Sequence, residues 1–246
     1  MIISYSRRIS DEELIDQPET STDDIHDNLR DMTAINRWLG GAQAVMAHAL
    51  PLLMTCASDP IRVLDAACGG GDISRRVVDE TRMLGKRIEV TVLDLNTRVL
   101  GCARELSSGY PEIEFVQADA LNPPFETGYF DIVILATFIH HLESEQVITA
   151  LRMGKRVSRG HVIVADLVHS PWAHLGFCIL SRLVRFSPIS VHDGAISVRR
   201  AYNPSELADF ARRSGIDNWK LYRHWLYRMT LVYEGASYGK RNVSAH

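Results

Sequence analysis

No stretch of this chain approaches the roughly 18 consecutive apolar residues of a membrane-spanning helix, and no apolar segment follows the basic residues of Met1–Arg8. Neither a membrane span nor a secretory leader is therefore expected. Cysteine is sparse: Cys56, Cys68, Cys102 and Cys178 lie far apart without a CxxC pair, which excludes a zinc ribbon, a dithiol redox centre and a disulfide scaffold. Free thiols, a reducing cytoplasmic compartment and no metal are the expectation. Charge of one sign is also lacking. Lys and Arg number 27 against 30 Asp and Glu, a net charge of −3, so no bulk field recruits a nucleic acid. Internal repeats and low-complexity tracts are absent as well. What is present is ordinary for a globular chain, with 46% hydrophobic and 23% charged residues. At roughly 150 residues per domain, the 246 residues correspond to one α/β core with an attachment.

Residues 1–23, which contain Pro18 and end in Glu19-Thr20-Ser21-Thr22-Asp23, read as a mobile polar arm. In residues 24–57, Ile25, Leu29, Met32, Ile35, Leu39, Ala42, Val45, Ala49 and Leu53 recur at helical spacing across Gly40-Gly41, predicting two amphipathic helices. Such an appendage suits a lid, a homodimer surface or plain packing. After Pro60, apolar runs at 61–66, 88–93, 113–116, 130–136 and 162–165 alternate with helical spacing at 72–84, 97–108 and 143–157. This alternation predicts an α/β fold, a doubly wound parallel sheet covered on both faces, within residues 58–246. Residues 171–200 break the rhythm, and we expect an inserted helix there, followed by a turn-rich loop around Gly194. Asn203-Pro204 then caps a helix that Gly215 ends, and closing strands fall within Trp219–Tyr233.

Ligands of such sheets bind beyond the carboxyl ends of the strands, so the residue ending each apolar run is a candidate. The first run ends in Asp65-Ala66-Ala67-Cys68-Gly69-Gly70-Gly71-Asp72, where small residues permit a tight turn and a helix start offers free amide donors. Taken alone, this is also an ordinary strand-to-helix turn. The second run stops at Asp94 and the third at Asp119. An acid in the first place accepts from both ribose hydroxyls, and one in the second accepts from the exocyclic amine of adenine. Together they describe an adenosine. Gly69-x-Gly71-x-x-Ser74, with Asp94 following 23 residues after Gly71 (94 − 71), also approaches a dinucleotide fingerprint. Asp65 would repel a pyrophosphate but welcome an amino group, and Ser74 stands where close helix packing prefers Gly or Ala. An NAD-binding oxidoreductase remains the alternative.

Val63–Gly71, Asp94, Asp119-Ala120 and Phe130-Asp131-Ile132-Val133 together resemble the ordered motifs of class I S-adenosylmethionine-dependent methyltransferases, over roughly residues 60–166. Ala67 departs from the family's usual first glycine. The resemblance implies a Rossmann-like sheet with its last strand antiparallel, and S-adenosylmethionine as cofactor, released as S-adenosylhomocysteine. It also implies roles: Asp65 for the methionine amino group, and Ala67, Gly69 and Gly71 as the turn that lines methionine and ribose. Asp94 would take the ribose hydroxyls, Leu95 the adenine face, Asp119 and Ala120 the adenine edge, and Ala136 would offer its carbonyl to the amino group.

After the fourth run, Ala136-Thr137-Phe138-Ile139-His140-His141-Leu142 is similar to the tract that holds the catalytic histidine in plant-type phenol O-methyltransferases, and His140 is the better match to it. A pocket-shaping or helix-capping role for the two histidines is the competing reading. His192, beside Asp193, is a second candidate base, since a neighbouring carboxylate raises imidazole basicity. The apolar segment Trp172–Phe186 suits either a roof over the strand tips or a core helix. Asp27–Gly41 and Ser197–Tyr202 are similar to segments of bacterial methyltransferases of phenolic polyketide or phenolic lipid tailoring. We therefore expect a small aromatic or lipid-like acceptor methylated at a phenolic oxygen in a biosynthetic pathway, with no nucleic acid and no integral membrane contact. A non-catalytic S-adenosylmethionine-binding regulator is the remaining alternative.

Overall fold

The computed structural model describes residues 8–236 apart from residues 10 and 12, so the first part of the expected arm lies outside the described residues. Where the chain has apolar runs it forms strands: β1 (Ile61–Ala66), β2 (Ile88–Asp94), β4 (Phe130–Ala136) and the core of β5 (Ser158–Leu167) are largely buried on both faces, and β3 (Ile113–Gln117) is a half-exposed edge strand. All five are parallel. β7 (Arg228–Glu234) runs antiparallel between β5 and β6 (Lys220–His224), which gives the order β3-β2-β1-β4-β5-β7-β6. The chain winds outward from β1 through β2 to β3 and then returns to β4. The cleft therefore opens beyond the carboxyl ends of β1 and β4. β5 starts earlier than its apolar core suggests, because Arg159 pairs with Asp131 at 2.7 Å and Gly160 lets the Asp131 carbonyl approach where a Cβ would collide with it.

Helices cover both faces. α3 (Asp72–Met83), α4 (Thr97–Leu106), α5 (Ser144–Val157) and α8 (Pro204–Arg213) stand where the periodicity predicts them. Asn203 caps α8, accepting from the backbone N–H groups of Ser205 and Glu206. α1 (Thr22–Trp38) and α2 (Gly41–Thr55) are the expected N-terminal pair, parted at Gly40, whose φ is 80°. On one face Leu64, Val133, Leu151, Leu207 and Phe210 are buried together. On the other, Val63 and Ile132 pack with Val45 and Leu53 of α2 and Val77 of α3.

Residues 171–200 correct the expectation of one helix and a loop. They form two helices, α6 (Pro171–Val184) and α7 (Pro188–Arg200). Ser187 accepts from the Ser190 N–H with Pro188 at the first helical position, so the apparent turn composition is cap chemistry. Gly194 lies inside α7, and a Cβ there would meet the Phe177 ring at 2.2 Å. The glycine serves the contact between α6 and α7, not a turn.

Candidate active site

Beyond the tips of β1, β2 and β4 lies a cavity of about 790 Å³. Its floor is the turn after β1, with Ala67, Gly69 and Gly71 in the left-handed region at φ 60°, 49° and 71°. Ala67 pays a cost of about 1 kcal/mol there that glycine would avoid. The Gly69 N–H donates to Asp94 Oδ2 at 3.2 Å and the Asn96 N–H to Oδ1 at 3.0 Å. Burial holds the Asp94 carboxyl above its ordinary range in spite of these bonds. Leu95 is 67% exposed and lines the same space as Ala120 and Asp119. Asp65 is buried behind this wall. It accepts from Ser74 Oγ at 2.6 Å, and burial pushes its carboxyl up to about 7. Six acids, Glu13, Asp16, Asp72, Asp94, Asp119 and Asp193, line the cavity against the single guanidinium of Arg98. Burial, followed by the charges of Glu13 and Asp94, pushes Asp16 to about 6. Such a space attracts cations and repels a pyrophosphate.

A second cavity of about 240 Å³ adjoins the first, the two sharing Glu13, Thr137, His141, Gly194 and Ser197. Its walls are largely apolar, built from Met32 and Ile35 of α1, Leu39 just beyond it, and Trp172, Phe177 and Leu180 of α6, with the buried Arg228 of β7 among them. Its polar end is the segment after β4. Thr137 sits there at φ 49°, a conformation strained for a β-branched residue, with its N–H on the Ala165 carbonyl at 2.8 Å. His140 is buried with Nδ1 2.7 Å from Asp166 Oδ1, while its backbone N–H donates to Asp166 Oδ2 at 3.1 Å. Nε2 is thereby turned toward Glu13 Oε1, 3.8 Å away. Burial opposes the charged imidazole, but the carboxylates of Asp166 and Glu13 outweigh it and hold His140 up to about 9. His141 Nε2 lies 3.8 Å from the same Glu13 oxygen, yet burial and the charge of His140 pull it down to about 4.

Glu13 belongs to the expected mobile arm, and here the structure corrects the sequence reading. Glu13, Ile15, Asp16 and Pro18 line the larger cavity, and Glu13 reaches the smaller one as well. A short 3-10 turn, Leu14–Asp16, donates its Leu14 and Ile15 N–H groups to the two oxygens of Asp193 at 2.7 and 3.1 Å. Ser197 Oγ donates to Glu13 Oε1 at 2.6 Å. Upstream, the Arg8 guanidinium donates to the carbonyls of His140 and Leu142 and lies 3.6 Å from the Tyr202 ring centroid. Burial would raise the Glu13 carboxyl, but the two imidazoles and the Ser197 hydroxyl bring it down to about 2.

Comparison with known proteins meets this geometry. Residues 63–160 match the family model described as "Methyltransferase domain". The chain is 26% identical over 185 residues to the ubiquinone/menaquinone biosynthesis C-methyltransferase UbiE of Brucella suis, covering 70% of this chain and 67% of the relative. Among solved structures, an S-adenosylmethionine-dependent methyltransferase of Methanococcus maripaludis shares the fold with a TM-score of 0.60 at 16% identity, over 89% of this chain and 96% of that one. Human N-acetylserotonin methyltransferase in complex with S-adenosylmethionine gives a TM-score of 0.61 at 14% identity, over 87% and 56%. This protein is an S-adenosylmethionine-dependent methyltransferase, with its methyltransferase domain matched over residues 63–160. S-adenosylmethionine is its cofactor, and the acidic larger cavity suits a ligand that carries both a sulfonium and an ammonium.

Within the methyltransferase, Ala67, Gly69, Asp94, Leu95, Asp119 and Ala120 meet around the larger cavity. Asp65, Gly71 and Ala136 do not line it. Gly71 instead caps α3, Asp65 stands behind the wall with Ser74, and Thr137 takes the cavity position next to Ala136. Asp119 Oδ1 also caps its own turn, accepting from the Leu121 N–H at 2.8 Å. His140 reaches the smaller cavity. His192 does not: it points outward from α7 with Nδ1 3.0 Å from Asp193 Oδ1, lines neither cavity, and Asp193 is committed to the arm. The sequence reading missed Glu13, Asp166 and Ser197. A signal for Asp166 was present, since it ends the fifth apolar run as Asp94 ends the second.

Proposed function

We propose that this methyltransferase methylates a small, apolar, aromatic or lipid-like acceptor, at a phenolic oxygen, in a biosynthetic pathway. The observation that carries this reading is the largely apolar 240 Å³ cavity whose polar lining includes the His140–His141–Glu13–Ser197 cluster, Thr137 and the buried Arg228, and which opens into the larger cavity. In this reading Asp94 holds the ribose hydroxyls, Leu95, Asp119 and Ala120 frame the adenine, and Asp65, behind the cavity wall, acts on the ammonium through an intervening water. The turn brings the backbone of Ala67 and Gly69 close to the ligand, while Gly71 shapes it from behind. When bound, S-adenosylmethionine supplies an electrophilic methyl carbon whose bond to sulfur breaks as the new bond forms, the electron pair staying on sulfur. His140 Nε2, in the neutral imidazole whose share grows as pH rises toward about 9, takes the proton of the acceptor hydroxyl, and Asp166 fixes the Nδ1–H tautomer and stabilises the imidazolium that results. The acceptor oxygen then attacks in line. α1, α6, α7 and the docked arm act as the lid that excludes water, while α2 packs on the sheet.

A second reading has its own support. The Brucella relatives are named C-methyltransferases, and removing a phenolic proton at His140 also enriches the ring carbon beside the oxygen. Incubating the enzyme with isotope-labelled methyl donor and a panel of phenols and quinols tests both. Label in a methoxy group supports the first reading, and label in a ring methyl replaces it with the second. Donor binding without transfer to any phenol or quinol overturns the proposal and favours a binding role.

A further inference from the structure

Three of the four tryptophans of this chain are exposed, and all three flank the smaller cavity. Trp172 is 70% exposed and lines the cavity itself; Trp38, 59% exposed, precedes the lining residue Leu39; Trp225, 84% exposed, precedes the lining residue Leu226. The last two are joined through Gly40, whose Cβ position lies 3.5 Å from the Trp225 carbonyl oxygen. Trp219, the fourth, packs against the core. α6 extends this rim. While Phe177 and Leu180 face the cavity, Leu175, Ile179 and Leu183 are 50%, 54% and 75% exposed on its outer side. A monomeric soluble protein does not commonly leave so continuous an apolar face open.

The exposed charges adjoining this face are basic, while the half-buried Asp31 accepts from the Ser187 N–H at 2.8 Å beyond the end of α6. From Leu167 to His192 there is no acid, and Arg182 and Arg185 stand exposed at the end of α6. Exposed Arg37 and Arg223 neighbour Trp38 and Trp225. An apolar face with tryptophan at its edge and arginine around it is the chemistry of an interfacial helix on an anionic lipid surface. Among the described residues no helix is long and apolar enough to cross a membrane.

We propose that α6, with Trp38 and Trp225, docks the enzyme peripherally on an anionic lipid bilayer, so that the smaller cavity opens toward the acyl chains and takes its acceptor from them. This rests on reading that cavity as the acceptor's. It is tested by cosedimentation of the full chain with vesicles of equimolar phosphatidylglycerol and phosphatidylcholine, and with pure phosphatidylcholine vesicles, without donor or acceptor. Binding to the anionic vesicles is expected, with weaker binding to the neutral ones and quenching of tryptophan emission by lipids brominated in the acyl chain. Ile179→Ser/Leu183→Ser and, separately, Arg182→Gln/Arg185→Asn should each weaken binding by roughly tenfold or more while leaving donor affinity and Tm unchanged. Either of two results overturns the proposal: no binding of the unaltered chain to anionic vesicles, or a dimer in solution that Ile179→Ser/Leu183→Ser disperses, which would make the face an interface between two copies. Loss of vesicle binding would leave the methyl-transfer reading standing. Vesicle binding without transfer to any phenol or quinol would remove only that reading.

Discussion

Asp166→Asn tests the buried pair at the heart of the smaller cavity. His140 and Asp166 are both buried, 2.7 Å apart, and the imidazole is held up to about 9 against an ordinary value of 6.5. A histidine whose folded-state pKa is raised contributes stability that is full below its unfolded value and is lost as pH rises through the folded one. At about 1.4 kcal/mol per pKa unit, the gap between 6.5 and about 9 corresponds to roughly 3 kcal/mol of unfolding free energy surrendered between those pH values. For a chain of this size that is a Tm drop of about 6–12 °C. Replacing the carboxylate with an amide leaves Glu13 alone against burial, so His140 should titrate well below about 9 and the decline should shrink and move to lower pH in the variant. The window is clean, because Asp65 at about 7 loses its proton-linked stabilisation mainly below it and His141 at about 4 titrates wholly below it. Thermal and urea unfolding of both proteins across this window reads the effect. Parallel stability curves for the two would refute the charged His140–Asp166 pair. On the correct acceptor, turnover of the variant should also fall by about 10²-fold or more, since the base loses its orienting partner.

Three further perturbations probe the other parts of the site. Asp94→Ala should weaken donor binding by about 1–3 kcal/mol in calorimetric titration through loss of charge-assisted bonds, and unchanged affinity would remove Asp94 from the ribose. Because burial holds Asp65 at about 7, binding a ligand ammonium beside it requires its proton to leave, so donor affinity should rise with pH up to that value, and Asp65→Asn should flatten the profile. A dependence that persists in the variant would place the linkage elsewhere. Asp193→Ala removes the acceptor of two arm amides, and should speed hydrogen exchange at Leu14 and Ile15 by about tenfold or more while hastening donor dissociation. Exchange as slow as in the unaltered protein would show that Asp193 does not hold the arm.

What was legible in the sequence was whatever has a local pattern. The strands announced themselves because a sheet covered on both faces demands unbroken apolar runs, and Asp94 and Asp119 were found because such runs stop at them. α7 was misread because Ser187-Pro188 marks a helix start as readily as a loop. Glu13 was hidden for another reason. Its burial depends on Ser197, His140 and His141, more than a hundred residues away in the chain, and nothing in its own neighbourhood distinguishes it from a solvated acid. His192 shows the reverse error: its carboxylate partner is real, but α7 points the imidazole outward and commits Asp193 to the arm amides.

The central claim is spatial, that the acidic cavity seats the adenosyl group and delivers the reacting methyl toward the apolar one. A crystal structure of the protein with S-adenosylhomocysteine tests it most directly. Both ribose hydroxyls should lie on the Asp94 carboxylate, adenine between Leu95 and Asp119-Ala120, and the thioether sulfur should face the opening framed by Thr137, His141 and Glu13. A nucleoside bound elsewhere, or a sulfur turned away from that opening, would contradict it.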